Sequence, residues 1–93
     1  MIIGTAIITI YAPWAHSLKE KRSEVKSLCA KVRTIFNVSI AEVDEQDTHQ
    51  KIVLGIACAA GCTALADSII DKVLNFIEVN TKGEIIRTER EIR

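Results

Sequence analysis

Two uncharged segments decide the fold of this chain: Met1–Ala12, which reads MIIGTAIITIYA, and Ile52–Ala59, which reads IVLGIACA. The first is rich in Ile and Thr, which pack well on a pleated surface, and it ends before Pro13. The second ends before Gly61 and contains Gly55, a residue expected where a helix approaches a strand closely. We therefore predict two strands that are buried on at least one face.

A helix is predicted after the first of these strands. Ser17 followed three residues later by Glu20 forms a capping box, so the helix is expected to run from about Leu18 to Ile35. Asn37 tolerates the left-handed conformation and is expected to end it. The apolar stripe of this helix consists of Leu18, Val25, Leu28, Cys29, Val32 and Phe36.

The remaining elements are two charged strands and a second helix. Val38–Val43 alternates as a half-exposed strand does, and Glu84–Arg93 carries charges at six of its ten positions. A helix beginning at Cys62 or Thr63 is expected to continue to about Val79. This order predicts an α+β, ferredoxin-like βαββαβ sandwich, with a four-stranded antiparallel sheet and two helices on one face. The uncharged strands then lie at the centre, and the charged strands at the edges, where charge discourages aggregation.

Composition limits the classes to which the protein can belong. In 93 residues, 12 Lys and Arg balance 12 Asp and Glu, which argues against a uniformly basic surface for nucleic acid or membrane. Three cysteines without scaffold spacing fit a reducing compartment. The start lacks the basic region of a signal peptide, and the uncharged stretch 52–66 is too short for a membrane span. We expect a cytoplasmic protein, with residues 1–93 forming a single ferredoxin-like domain away from membranes.

The sheet face that the helices leave open is predicted to be apolar. Both faces of the first strand are mostly apolar, since Thr5, Ile7, Thr9 and Tyr11 alternate with Gly4, Ala6, Ile8 and Ile10. An apolar sheet of this size usually has a partner, so we predict a homodimer or a protein partner over that face. The alternative is a modest exposed apolar face on a monomer.

A basic segment surrounds the start of the first helix. Between His16 and Arg33 there are six cations and two anions, and several cations lie in the first turns, where the helix dipole is already positive. Such an arrangement predicts a site for an anion or for the phosphate backbone of RNA, and a solvated polar helix face is the alternative. The candidate binding residues are Ser17, Lys19, Lys21, Arg22 and Lys26.

An acidic segment, Glu42–Asp47, carries four carboxylates in six residues. The spacing matches no calcium loop, so a solvated hairpin tip, or a tip docked on a basic surface such as another subunit's helix, is favoured over a metal site. No nucleotide, cofactor or nucleophile motif occurs, and His16 and His49 are the only histidines. We therefore expect no cofactor, no metal and no enzymatic activity.

The chain resembles the YlxP-like family of small bacterial proteins of unknown function over essentially its whole length. Members are often encoded among translation and ribosome-maturation genes, so the resemblance implies a ferredoxin-like fold and a role near ribosomal RNA. It implies no catalytic residues, and the chain departs from the family pattern at Pro13–His16. The matching residues are Ser17–Arg22 (SLKEKR), Phe36–Ser39 (FNVS), Ala41–Val43 (AEV), Leu54–Ala57 (LGIA), Asp47 and Gln50.

Three functions follow as hypotheses, in this order. The first is a binding module that contacts RNA or a ribosomal subunit through the basic helix start. The second is a homo-oligomeric interaction module that works through the open sheet face, without nucleic acid. The third is an enzyme acting on a small phosphorylated ligand, which the lack of an acid–base pair disfavours. The family pattern also contains Asn37, Glu42, Asp47 and Gln50, to which no role is assigned.

Overall fold

The structure, a computed structural model, describes residues 1–93 and contains the six predicted elements in the predicted order. Their bounds are β1 (Ile2–Tyr11), α1 (Leu18–Ile35), β2 (Ser39–Asp44), β3 (Lys51–Ala60), α2 (Thr63–Asn80) and β4 (Glu84–Ile92). Neither helix combines the length and the apolar character needed to cross a membrane.

The four strands form one antiparallel sheet in the order β2-β3-β1-β4. The central pair runs from Ile2 opposite Ala60 to Tyr11 opposite Lys51. With two helices in βαββαβ order, this confirms the predicted ferredoxin-like sandwich. It also confirms that the two uncharged strands take the centre and the two charged strands the edges.

The core lies between one face of the sheet and the two helices. Alternate residues of β1 and β3 point into it, because successive side chains of a strand lie on opposite faces. Full burial of each large aliphatic side chain contributes roughly 1.5–3 kcal/mol. The buried residues at its centre are Ala6, Ile8 and Ile10 of β1, Ile52, Leu54 and Ile56 of β3, Leu28 and Val32 of α1, and Ile70, Val73 and Ile77 of α2.

The predicted close approach of a helix to Gly55 is wrong. A Cβ at Gly55 would lie 2.8 Å from Cγ1 of Val43, so a residue of β2 covers this glycine. Leu54 and Ile56 take the helix-covered face, and strand alternation therefore places Gly55 on the open face. The glycine beneath a helix is Gly4, whose Cβ would meet Ala66 and Ile70 of α2 at 3.3 and 3.4 Å.

The two ends of α1 show one confirmed prediction and one error. Ser17 caps the helix, since its hydroxyl oxygen accepts a 3.2 Å hydrogen bond from the N–H of Glu20. At the other end, Phe36 is the cap and is extended, at φ −117° and ψ 143°. Asn37 is not left-handed, because Glu45 (φ 56°) is the one residue with positive φ. Phe36 packs edge-on against Phe76, with ring centroids 5.7 Å apart, and the chain enters β2 directly.

Candidate nucleic-acid interface on helix α1

Three exposed cations lie along one flank of α1. Lys19, Arg22 and Lys26 are separated by three and four residues, the spacing that brings side chains to the same face of a helix. All three are exposed. We refer to these three residues as the cationic stripe. Arg33 continues the same line seven residues beyond Lys26, and its guanidinium donates to the carbonyl of Ile40 at 2.6 Å.

The charges of the cationic stripe are only weakly compensated by the rest of the protein. Lys19 and Lys26 form no ion pair. Arg22 approaches Asp47 at 3.9 Å, with 61% and 96% of the two side chains exposed. An ion pair this exposed contributes little, about 0–1 kcal/mol, and is screened by salt. The stripe can therefore exchange its solvent contacts for contacts with a polyanion.

Lys21 is not part of this surface, although the sequence placed it among the anion-binding residues. Its side chain is fully buried, and its ammonium lies 2.8 Å from Oε2 of Glu42. The same ammonium donates to the carbonyl oxygens of Glu45 and Thr48. The three donors of the ammonium thus have three partners inside the protein. Lys21 cannot reach an external anion, and it is corrected to a structural residue.

The burial of Lys21 follows from its place on the helix. It lies three residues after Leu18 and four before Val25, so it continues the apolar stripe of α1. Its four-carbon stem is packed along that stripe, and its ammonium reaches the tip of the β2–β3 hairpin. This spacing was visible in the sequence, but the partners that satisfy a buried ammonium were not.

The hairpin tip is ordered around the same contact. Glu45 has φ 56°, and its N–H bonds to Oδ1 of Asp44 at 2.8 Å. The hydroxyl of Thr48 donates to Oε2 of Glu45 at 2.8 Å. A left-handed non-glycine residue costs about 1–3 kcal/mol and persists only where its surroundings hold it. The carbonyl that Glu45 turns toward Lys21 supplies part of that restraint.

The acidic segment therefore contacts basic residues, but they belong to helix α1 of its own chain. Glu42 neutralises Lys21 in the interior, and Asp47 lies beside Arg22 at the surface. The expected docking on another subunit's helix is not needed to explain these carboxylates. Nowhere in the chain do three His, Cys, Asp or Glu side chains come together as metal ligands.

Ser17 also has a role that sequence reasoning reached only in part. Its hydroxyl oxygen accepts a hydrogen bond as the cap of α1 and so stabilises the helix, while its O–H group keeps a donor that a ligand could use. Among the cysteines, Cys29 and Cys58 are buried and Cys62 is exposed at the start of α2. Burial raises the pKa of the Cys29 thiol, which keeps that thiol protonated at neutral pH.

The open face of the sheet carries a broad groove of about 760 Å³. Its floor is made of small residues such as Thr5, Gly55 and Ala57, and the side chains of Ile7 and Val43 stand beside them. Ile7 and Val43 are 43% and 50% exposed. The open face thus carries large aliphatic side chains in solvent, as predicted, but Arg33, Glu91 and Arg93 also line the groove.

Comparison with known sequences places the chain in a family. Residues 3–90 match the family described as "Protein of unknown function (DUF503)". The chain belongs to this family. It is 40% identical over 77 residues to "Uncharacterized protein YlxP" of Bacillus subtilis (strain 168), over 81% of this chain and 84% of that protein. These matches confirm the YlxP-like resemblance.

The solved structures add a likeness of fold. A de novo designed protein with a ferredoxin fold, determined by solution NMR, superposes on this DUF503 chain with a TM-score of 0.58. The match covers 100% of this chain and 85% of the designed one, at 18% sequence identity. At that identity the likeness concerns the fold alone.

Two of the family-motif residues of this DUF503 chain meet in space. Lys21 of the SLKEKR segment and Glu42 of the AEV segment form the buried ion pair. Asn37 and Gln50 are exposed, and the carbonyl of Gln50 accepts a 2.8 Å hydrogen bond from the N–H of Ala12. The ion pair between Lys21 and Glu42 therefore connects the β2–β3 hairpin to α1. The cationic stripe lies next to this ion pair on the exposed surface of the helix.

Proposed function

We propose that this DUF503 protein is a non-enzymatic cytoplasmic module that binds the phosphate backbone of RNA, as on a ribosomal subunit, through the cationic stripe. The proposal rests on one observation, the difference in burial between the cations of α1. Lys21 is buried and neutralised, whereas Lys19, Arg22 and Lys26 are exposed on one flank. Cations aligned on one helix flank contact phosphates without reading sequence.

The neutral total charge is compatible with this role because the charges are not evenly placed. Glu42, whose side chain is 14% exposed, is paired with Lys21 and contributes no free negative charge next to the stripe. Asp47 remains as an exposed carboxylate near Arg22, and the carboxylates of Glu20 and Glu24 line the same pocket as Lys19. Binding should therefore be modest, strongly salt-dependent and insensitive to base sequence. The implied link to ribosome-maturation genes favours RNA over DNA.

Replacing Lys19, Arg22 and Lys26 together by Ala is expected to weaken binding to structured RNA by at least about tenfold at low salt. Each lost phosphate contact should also lower the slope of log affinity against log salt by about 0.9, or about 2.7 for three contacts. Filter binding with structured RNA at rising salt measures both quantities. Lys72→Ala, which removes one exposed cation on α2, is the control and should leave both nearly unchanged.

Two results would reject the proposal. One is the absence of measurable affinity at low salt for the unmodified protein. The other is a triple variant whose affinity and salt slope equal those of the unmodified protein. Co-sedimentation with purified small ribosomal subunits then distinguishes the ribosome from other RNA partners.

A second function is favoured by the exposed aliphatic side chains of the open sheet face. We propose, as the alternative, that a second copy of this chain covers that face and forms a homodimer. Eight of the fourteen residues that line the groove are hydrophobic, and the charged residues among the others have both signs, Arg33 and Arg93 against Glu91, so a twofold contact can pair opposite charges. Four strands of up to ten residues present a face on the order of 600 Å², near the ~800 Å² per partner of standard interfaces.

The variant Ile7→Lys tests this alternative. A lysine at this position would bring an unpaired charge into the apolar contact between the two copies, so a dimer at micromolar concentration is expected to become monomeric. Val79→Lys is the matched control, since Val79 is an apolar residue of α2 that is 82% exposed away from the sheet. Sedimentation velocity measures the masses. A monomeric unmodified protein would rule the homodimer out.

A further inference from the structure

A second, polar pocket borders the cationic stripe. Its volume is about 540 Å³, and it lies between α1 and the turn that joins α2 to β4. Only one of its nine lining residues is hydrophobic. Lys19 belongs both to the stripe and to the wall of this pocket. The pocket and the stripe therefore form one continuous surface around α1.

Two polar atoms in the wall of this pocket are shielded from solvent and have no hydrogen-bond partner: Nε1 of Trp14 and Oε2 of Glu24. Oε2 of Glu42 is similarly shielded, but it has the ammonium of Lys21 at 2.8 Å. Oε2 of Glu24 has no such cation or hydrogen-bond donor nearby. Buried polar groups are nearly always paired, so an unpaired donor and acceptor in one pocket point to an absent partner.

The chemistry of the two atoms specifies that partner. The indole N–H of Trp14 can only donate a hydrogen bond, and the carboxylate of Glu24 only accepts. A hydroxyl group does both, so a ligand with hydroxyl groups satisfies the pair. The 2′-hydroxyl of a ribose within an RNA chain is such a group, because it can accept from the indole N–H and donate to the carboxylate.

The charge of the pocket indicates that the ligand also carries an anionic group. Lys19, Lys31 and Lys82 line it, and none of them forms an ion pair with a carboxylate of the chain. The ammonium of Lys82 lies 6.0 Å from the centroid of the Trp14 ring. Three ammonium groups against the carboxylates of Glu20 and Glu24 leave one excess positive charge. A ligand that bears a phosphate together with hydroxyls fits this balance.

We infer that the pocket binds a ribose phosphate, with the ribose 2′-hydroxyl between the indole N–H of Trp14 and the carboxylate of Glu24, and phosphate oxygens beside the lysines. The inference rests on the proposed function in taking this unit to be part of an RNA chain. The ribose 2′-hydroxyl distinguishes RNA from DNA. The pocket would thus supply the preference for RNA that the cationic stripe cannot supply.

Trp14 makes the inference directly measurable, because the chain contains one tryptophan. Its indole N–H gives a single resonance in a nitrogen–proton correlation spectrum. Titration with ribose 5-phosphate or a short single-stranded RNA should shift that resonance saturably. 2-Deoxyribose 5-phosphate and DNA of the same sequence should bind at least about fivefold more weakly. Inorganic phosphate should shift the lysine-side residues but leave the indole resonance in place.

The variant Glu24→Gln keeps the size of the side chain but removes its charge. It is expected to weaken ribose 5-phosphate binding by about tenfold and to reduce the preference for RNA over DNA. Trp14→Phe keeps a ring and removes the donor, and should act in the same direction, read from the backbone amides of the pocket. Glu78→Gln, on the exposed side of α2, is the control and should bind as the unmodified protein does.

The outcomes separate the pocket from the stripe. Salt-dependent RNA binding with no indole shift and equal affinity for DNA would overturn the pocket and leave the stripe intact. A saturable indole shift with ribose 5-phosphate but no RNA binding would support the pocket and overturn the proposed RNA function. An indole resonance that no sugar phosphate and no RNA moves would mean that only water fills the pocket, and would overturn the inference.

Discussion

Replacing Lys21 by Met is expected to lower the free energy of unfolding by about 3–5 kcal/mol. Met keeps most of the stem but removes the ammonium, so the carboxylate of Glu42, whose side chain is 14% exposed, loses its counter-ion. The carbonyl oxygens of Glu45 and Thr48 lose a donor at the same time. A buried charge without a partner is more costly than the ion pair was favourable. Urea unfolding followed by circular dichroism measures the change.

The matched control for this experiment is Lys19→Met. Lys19 lies on the same helix and is exposed without an ion pair, so its replacement should change stability by no more than about 0.5 kcal/mol. The double variant Lys21→Met with Glu42→Gln should be less destabilised than the sum of the single variants, by about 0.5–3 kcal/mol. A loss below about 1 kcal/mol for Lys21→Met alone would show that the ammonium is solvated rather than buried.

Lys21→Met also separates structure from binding. If the cationic stripe binds RNA, the folded variant should retain its RNA affinity, because Lys21 is buried and never contacts the ligand. This is the opposite of what the sequence suggested when Lys21 was grouped with Lys19 and Arg22. Filter binding well below the unfolding transition provides the comparison.

Gly83→Ala is expected to lower the free energy of unfolding by about 2–3 kcal/mol, near the upper end of overpacking effects. A Cβ at this position would lie 2.5 Å from the carbonyl oxygen of Tyr11 and 2.6 Å from Cγ2 of Ile10. The first of these contacts is with the backbone of a central strand, which cannot rotate aside. Relief therefore requires the start of β4 to move away from β1. Thermal and urea unfolding both report the loss.

Gly61→Ala is the control within the same chain. Nothing lies within 4 Å of a Cβ placed there, and its backbone has no positive φ. The substitution should be neutral or stabilising by up to about 1 kcal/mol, because alanine restricts the unfolded chain. Equal stabilities of the two alanine variants would show that the β4 start is free to shift.

Much of the fold could be predicted because its signals are local. The absence of charge predicted the central strands, Met1–Ala12 and Ile52–Ala59. The many charges of Glu84–Arg93 predicted an edge strand, and the strand order agrees. The capping box at Ser17 located the start of α1 to the residue. The errors lay where a local preference met a tertiary contact. Asn37 favours a left-handed conformation at the end of the helix. The chain instead leaves α1 in an extended conformation at Phe36, whose ring packs against Phe76.

The candidate site was predictable only in part for a related reason. Exposure of Lys19, Arg22 and Lys26 follows from helical spacing, which the sequence contains. The carbonyl partners of Lys21 lie 24 and 27 residues further along the chain, and no periodicity points to them. The same holds for Trp14 and Glu24, whose shared pocket depends on how α1 meets the turn after α2.

The sequence by itself determined the order of the elements, the central place of the uncharged strands and the basic character of α1, because hydrophobic periodicity, caps and charge act locally. Tertiary structure decided which of those charges remain available. The register of β2 against β3 shifts between Glu42 and Asp44, with Glu42 opposite the core residue Leu54 and Val43 over Gly55. That placement directs Glu42 to Lys21. It therefore separates a buried ion pair from an exposed cationic stripe, a distinction that depends on long-range packing.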